Sequence, residues 1–186
     1  MSTGFKEWAL ICEALGRGEQ SIILRKGGIA EGREGFRFKH DEFFLFSTLF
    51  HEQLAKTKLP AGTPLPAPEP GTVRIQYSAK VEWTELITDP VLVAKLAPFH
   101  IWKDEVIEER FRYDDVQGVN LAFVRIFKLA PEWSFQDEPK YGGCRSWLTM
   151  PDMPARTAMT PVLDDITHSA RETALRELLK MAAPVG

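Results

Sequence analysis

The clearest pattern of alternating side chains in this sequence runs from Val73 to Ile87, where most odd-numbered positions are apolar or aromatic. A period of two predicts a strand with one buried face, and the turn at Asp89-Pro90 ends it. The run from Val119 to Leu129 is apolar at both parities, which is typical of a strand buried on both faces. Shorter β-prone runs predict strands at residues 21–26, 36–39, 43–46 and 144–150.

Helical spacing is clearest between Pro161 and Met181, where apolar residues recur every three or four positions. A short helix is predicted for residues 90–96, because Asp89 suits the N-cap and Pro90 the first helical position. Acidic residues predict a helix at 104–112. A further helix is predicted from Ser47 or Thr48 to about Lys56.

Residues 4 to 15 permit two structures. Their apolar side chains have helical spacing, and Gly16 suits the end of a helix. The same residues also permit a hairpin in which residues 8–15 pair with residues 20–24 across a turn at Gly16-Arg17-Gly18. The helix is the favoured prediction.

Residues 59 to 71 carry a proline at almost every second position, which forbids a regular helix or a central strand. We interpret this segment as a surface loop inside a single domain spanning residues 1–186, although a Pro-rich docking segment for an aromatic groove is an alternative. Strands and helices without a regular βα alternation predict an α+β fold around a mixed or antiparallel sheet, with a C-terminal helix.

The composition is that of a soluble globular protein, with 44% hydrophobic and 26% charged residues. A net charge of −3 excludes bulk electrostatic coating of nucleic acid, but cations outnumber anions between Arg17 and His40, so a local basic face is expected. Two distant cysteines do not predict a disulfide framework or a zinc site. No apolar run approaches the roughly 18 residues of a membrane span and no leader pattern occurs, so we expect a cytoplasmic protein without membrane contact.

Arg25, Lys26, Gly27 and Gly28 form the first candidate site. A strand that ends in two cations followed by two glycines can place charge and bare backbone amides at one sheet edge, which favours an anion such as phosphate. The pattern is not a phosphate-binding loop motif. The alternative interpretation is an ordinary strand end with solvated cations.

His40 and His51 are candidates for acid–base chemistry or, with nearby carboxylates, for a mononuclear metal site. Their separation of eleven residues does not by itself bring them together, and a histidine among phenylalanines is more often structural. We therefore predict no metal site, and the sequence identifies no cofactor. Trp102 beside Arg110 suits base stacking or a cation–π contact, with a core role for Trp102 as the alternative.

The stretch Tyr141 to Trp147 contains two glycines before Cys144 and Arg145, which permits close backbone approach to a ligand. Arg145 is therefore a candidate anion-binding residue. Cys144 lacks a protease-type signature, and a small buried cysteine is the favoured interpretation.

Four separated motifs occur in order between Lys6 and Leu148: KEWALICEAL, ILRKGGI, HDEFFLFSTLFHEQ and YGGCRSW. Together they resemble the bacterial family catalogued as domain of unknown function 1802, for which no activity is established. Ser47 departs from the family pattern, in which a proline precedes the threonine matching Thr48, and the Pro-rich segment is longer than usual. The association of related domains with restriction endonucleases implies a role near DNA restriction and modification.

The stretch EALGRGEQSIILRK is also similar to the opening of PUA-like modules of the ASCH and EVE type. This resemblance implies a helix, a turn and a strand ending in Arg-Lys. It also implies an alternative form for the fold, a small β-barrel that binds RNA or modified bases.

Three functional hypotheses follow. The first is a non-enzymatic recognition domain that binds a phosphate-bearing ligand, nucleic acid or a nucleotide, through Arg25, Lys26, His40 and Arg145, with Trp102 for stacking. The second is a hydrolase of nucleotide or phosphate substrates with His40 or His51 as base or metal ligand. The third is an interaction domain for another protein.

Overall fold

The computed structural model describes residues 1–26, 36–67, 69–113 and 117–180. Its strands are β1 (Ser2–Trp8), β2 (Ile22–Arg25), β3 (Glu42–Thr48), β4 (Thr72–Ile87), β5 (Val119–Gln136), β6 (Trp147–Met150) and β7 (Ala158–Pro161). Its α-helices are α1 (Ala9–Gly16), α2 (Pro90–Lys95), α3 (Asp104–Phe111) and α4 (Asp165–Lys180). The order in the sheet is β2-β5-β4-β3-β1-β6, and β7 also pairs with β5. β1 and β3 are parallel and the other pairs antiparallel, so the predicted α+β fold with a mixed sheet and a C-terminal helix is confirmed.

The long antiparallel pair of β4 and β5 is the centre of the sheet. It runs from the pairing of Thr72 with Gln136 to that of Ile87 with Val119, with two register shifts that increase its twist. Residues 121–124 are buried on both faces of β5, as their apolar pattern predicts. These two long strands contribute to two separate hydrophobic clusters, one that includes Leu121 and Phe123 and another that includes Ile75 and Trp133.

The sheet is strongly curved, which brings β2 at one edge close to β1. Arg25 at the end of β2 donates a hydrogen bond from Nη2 to the backbone carbonyl of Lys6 in β1, although three strands separate them in the sheet order. Among the described strands the backbone pairing does not close into a ring. The curvature therefore resembles that of a barrel, while the sheet itself is open.

The prediction of a helix over residues 4–15 is wrong in its first half, and the alternative hairpin is not formed. Residues 2–8 are β1, which pairs in parallel with β3 and antiparallel with β6, and only residues 9–16 are helical. Phe5 and Glu7 alternate into the interior and are 0% and 1% exposed. Two neighbouring strands satisfy the backbone of β1, so long-range pairing outweighs the local helical spacing.

Two predictions that flank β3 are also wrong. Residues 36–39 form no strand. Thr48 does not begin a helix but is the last residue of β3, and its hydroxyl donates to the Glu7 carbonyl at 3.0 Å. The predicted helix is reduced to one 3-10 turn at Leu54–Lys56. The contact that keeps Thr48 extended is with β1, which is distant in sequence.

The C-terminal third differs from prediction mainly at element boundaries. β5 continues to Gln136, beyond the predicted run that ends at Leu129, and β7 was not predicted. Helix α4 begins at Asp165 rather than at 161, because the Asp164 carboxylate accepts a hydrogen bond from the Thr167 backbone amide at 2.8 Å and so caps the helix. The predicted α2 with its Asp89 cap and the predicted α3 are confirmed.

Gly16, the last residue of α1, lies against the ring of Tyr77 on β4. A Cβ atom at this position would overlap three atoms of the ring, and Tyr77 is only 7% exposed, so the ring has little room to move. Alanine normally favours a helix over glycine by about 1 kcal/mol. Here we expect Gly16→Ala to lower the free energy of unfolding by roughly 2 kcal/mol through overpacking, measured by chemical denaturation.

The control for this prediction is the same substitution in a Tyr77→Ala background, where the overlapping ring is absent. There Gly16→Ala is expected to be neutral or stabilising. An equal loss of stability in both backgrounds would show that the Tyr77 contact is not the cause.

Candidate ligand-binding cleft

A cleft of about 390 Å³ lies where the end of β2, the turn after β3 and the C-terminal end of α3 meet. It is lined by four cations, two carboxylates, three aromatic residues and one valine: Arg25, Lys26, Lys56, Arg110, Glu52, Glu109, Trp8, Phe50, Tyr113 and Val106. Pockets for small organic ligands typically measure about 300–1,000 Å³. The cleft therefore has the size and the chemical variety of a ligand site.

Arg25 is partly buried at the end of β2 and is held on three sides. Besides its hydrogen bond to Lys6, its guanidinium carbon lies 4.7 Å from the centre of the Phe5 ring. Its Nε lies 3.9 Å from the Glu7 carboxylate. These contacts fix the guanidinium group in one orientation at the cleft wall, which lowers the entropy lost when it binds a ligand.

Arg110 on α3 supplies the second guanidinium group. Its guanidinium carbon lies 3.9 Å from the centre of the Trp102 ring, and its Nη1 donates a hydrogen bond to the Leu24 carbonyl at 3.0 Å. Burial, and to a smaller extent the positive charge of Arg25, lowers the pKa of Arg110 to about 10. The negative charge of Glu7 opposes part of this shift. Arg110 is still protonated at neutral pH, so two cations share this poorly solvated region.

Glu7 on β1 is the functional residue that sequence reasoning missed. Its side chain is 1% exposed, the one buried carboxylate in the part of the chain that the structure describes. Oε1 accepts from the Trp8 backbone amide at 2.8 Å, while Oε2 has no hydrogen-bond partner. The signal was hidden because residues 4–15 fit a helix, whereas in a strand Glu7 shares its face with Phe5 and points inward.

Gln53 holds in place the turn after β3, which carries the cleft residues Phe50 and Glu52. Its side chain is 0% exposed, its Oε1 accepts from the Leu10 amide at 3.0 Å, and its Nε2 donates to the Phe50 carbonyl at 3.0 Å. The turn after β3 is thereby tied to α1, and the Phe50 ring packs 5.4 Å from the Trp8 ring. In the sequence, Gln53 falls within a predicted helix that does not form, and no site role was predicted for it.

The structure brings some of the predicted site residues together. Arg25 and Lys26 line the cleft, while Gly27 and Gly28 lie outside the described residues. Trp102 is 1% exposed and lies beneath the cleft, where it supports Arg110 rather than presenting a free face. Trp102 and Arg110 thus form the cation–π contact that their spacing suggested.

His40 and Arg145 lie outside the cleft lining. The His40 ring packs edge-on against the Trp147 ring, with 4.9 Å between the ring centres. Arg145 is exposed in the loop before β6. The neighbouring Cys144 is also exposed, so the expectation of a buried cysteine is wrong. Of the four residues predicted to bind an anion, Arg25 and Lys26 therefore line the cleft and the other two do not.

His51 does not share a site with His40. His51 is exposed and lies 3.6 Å from the cleft residue Glu52. The two histidines lie before and after β3, whose seven residues span roughly 20 Å at about 3.3 Å per residue. Within the described residues there is also no group of three or more histidine, cysteine, aspartate or glutamate side chains that could hold a metal ion. The two histidines therefore do not converge on one site.

Taken together, these features describe an α+β protein with a curved mixed sheet and an arginine- and aromatic-lined cleft. The chain belongs to the family described as Domain of unknown function (DUF1802), which its sequence matches over residues 4–174. The family resemblance seen in the separated motifs is thereby confirmed.

A solved structure similar to this chain is the crystal structure of a mutant form of the ZmASCH protein from Zymomonas mobilis. The alignment covers 93% of this chain and 94% of that chain, with 9% sequence identity and a TM-score of 0.46. No curated protein matches the sequence. Among the described residues, no helix combines the length and apolar character needed to cross a membrane.

Proposed function

We propose that the cleft binds a nucleotide unit, either free or within single-stranded nucleic acid, and that the protein acts as a recognition domain. The pair of fixed, poorly solvated guanidinium groups of Arg25 and Arg110 supports this proposal most strongly. Guanidinium groups match the planar geometry of phosphate oxygens, and orientation before binding increases affinity.

Charge balance favours an anion at this position. Arg25 and Arg110 repel each other, and Glu7 is the buried carboxylate that partly compensates both. Lys26 and Lys56 add two more cations to the lining. A bound phosphate would compensate this positive charge where solvent screens it poorly.

Exposed aromatic side chains favour a base next to that phosphate. Tyr113 is 55% exposed and Phe50 is 36% exposed, and both line the cleft with Trp8. Stacking of an unpaired base on an aromatic side chain contributes about 1–3 kcal/mol. A duplex hides the faces of its bases, so an unpaired nucleotide is the ligand that this arrangement fits.

The test is fluorescence anisotropy with labelled single-stranded RNA and DNA oligonucleotides of mixed sequence. Lys56→Ala is expected to weaken binding and to reduce the slope of log affinity against log salt by about 0.7, because one phosphate contact is lost. Tyr113→Ala is expected to weaken binding about tenfold with the slope unchanged, because stacking is lost.

Lys128→Ala is the matched control, since Lys128 is an exposed cation on β5 outside the cleft lining. It is expected to leave affinity and slope unchanged. Binding that is absent, insensitive to salt, or equally weakened by Lys128→Ala would refute the proposal. Arg25 is not a suitable probe because it also neutralises the buried Glu7.

The hydrolase and protein-partner hypotheses gain no specific support from the geometry. The hydrolase requires His40 and His51 to share a cleft, and β3 separates them. The partner hypothesis would be favoured by an apolar stripe on α4, but Leu175 is fully buried, and Leu178 and Leu179 pack against the core. A link to DNA restriction and modification stays a hypothesis.

A further inference from the structure

Two carboxylates line the same cleft as the four cations. A site for phosphate alone is weakened by negative charge, because Glu52 and Glu109 repel an anion. A ligand with a phosphate at one end and hydrogen-bond donors at the other can interact favourably with both the cations and the carboxylates of the cleft. The carboxylates in the lining therefore favour a ligand that carries hydrogen-bond donors at the end away from its phosphate.

Glu109 is the carboxylate better placed to accept those donors. It precedes Arg110 on α3 and lines the cleft together with Tyr113, which follows two residues after the helix ends at Phe111. The Glu109 carboxylate is exposed and takes part in no ion pair or hydrogen bond among the described residues. Glu52, by contrast, lies within 3.6 Å of His51.

We infer that Glu109 reads the edge of the bound base and that the preferred base is guanine. This inference rests on the proposed function of the cleft. Guanine presents two adjacent donors, N1–H and the 2-amino group, which match the two oxygens of one carboxylate. Uracil presents a single N–H between two carbonyl oxygens, which the carboxylate repels. An unpaired base on Tyr113 leaves this edge free to be read.

The test is isothermal titration calorimetry with GMP, IMP and UMP. IMP differs from GMP only by lacking the 2-amino group. We expect GMP to bind more tightly than UMP by about tenfold or more, with IMP between them, in line with the discrimination of a two-point contact to a base. Glu109→Gln is expected to remove most of the difference between GMP and UMP.

Glu52→Gln is the matched control, because it removes the same charge from the same cleft and leaves Glu109 in place. It is expected to preserve the ratio of GMP to UMP affinity. Equal affinities for GMP and UMP, or a ratio that survives Glu109→Gln or falls equally in Glu52→Gln, would overturn the guanine assignment while leaving nucleotide binding intact. Absence of binding both by these three nucleotides and by the single-stranded oligonucleotides would instead overturn the proposed function.

Discussion

Replacement of Arg25 by alanine is expected to lower the free energy of unfolding by about 3 kcal/mol or more. Arg25 is the ion-pair partner of Glu7, whose carboxylate is 1% exposed and 3.9 Å from the Arg25 Nε. Loss of one partner of a buried ion pair leaves the other charge uncompensated, which typically costs about 3–5 kcal/mol. The substitution also removes the hydrogen bond that joins β2 to β1. Urea denaturation of the purified variant measures the effect.

A double-mutant cycle with Glu7→Gln identifies the cause. If the uncompensated carboxylate is responsible, the Arg25→Ala, Glu7→Gln double variant should be more stable than the sum of the two single effects predicts. Additive losses would show instead that packing on Phe5 and the bond to Lys6 account for the effect of Arg25→Ala. This cycle tests stability alone, so its result does not depend on the identity of the ligand.

The second large effect is a loss of stability in acid that His100 is expected to cause. His100 is 6% exposed, and its Nδ1 has no hydrogen-bond partner. Burial, followed by the positive charge of Lys58, lowers the pKa of His100 to about 4. The unfolded chain has a histidine pKa of about 6.5 and binds the proton first, so stability is full above this pH and is lost as the pH falls towards 4.

The expected loss from His100 between these pH values is roughly 3 kcal/mol, from about 1.4 kcal/mol for each pH unit. The measurement is urea denaturation at several pH values for the natural protein and for His100→Gln, whose stability should depend less on pH in this window. His51→Gln is the control, since His51 is exposed. Burial also lowers the pKa of His168, which contributes equally to all three proteins. Parallel curves for the natural protein and His100→Gln would contradict the prediction.

The sequence predicted half of the candidate site. Arg25 and Lys26 were recognisable because cations at a strand end are a local signal, and Trp102 with Arg110 because an aromatic beside a cation is another. Glu7 and Gln53 carried no local signal, since their roles consist of contacts with residues distant in sequence. His40 and His51 appeared as a pair in the sequence, and only the extended course of β3 shows that they are far apart.

The sequence by itself determined the strands and helices whose pattern of apolar and polar residues can be recognised within the segment. β4 follows the alternation of apolar residues, and β2, β3 and the first part of β5 follow continuous apolar runs. α2 follows its Asp89 cap, and α3 follows its acidic first turn. These signals are local, because the period of burial is set by backbone geometry within each segment.

The tertiary structure determined the conformation of segments in which local preference and long-range pairing disagree. Residues 2–8 fit a helix but form β1, because β3 and β6 satisfy their backbone on both sides. The same curvature that brings β2 to β1 places Arg25 beside Glu7 and opposite Arg110, and so creates the cleft. Contacts between distant residues depend on the folded sheet as a whole, and no short stretch of sequence encodes them.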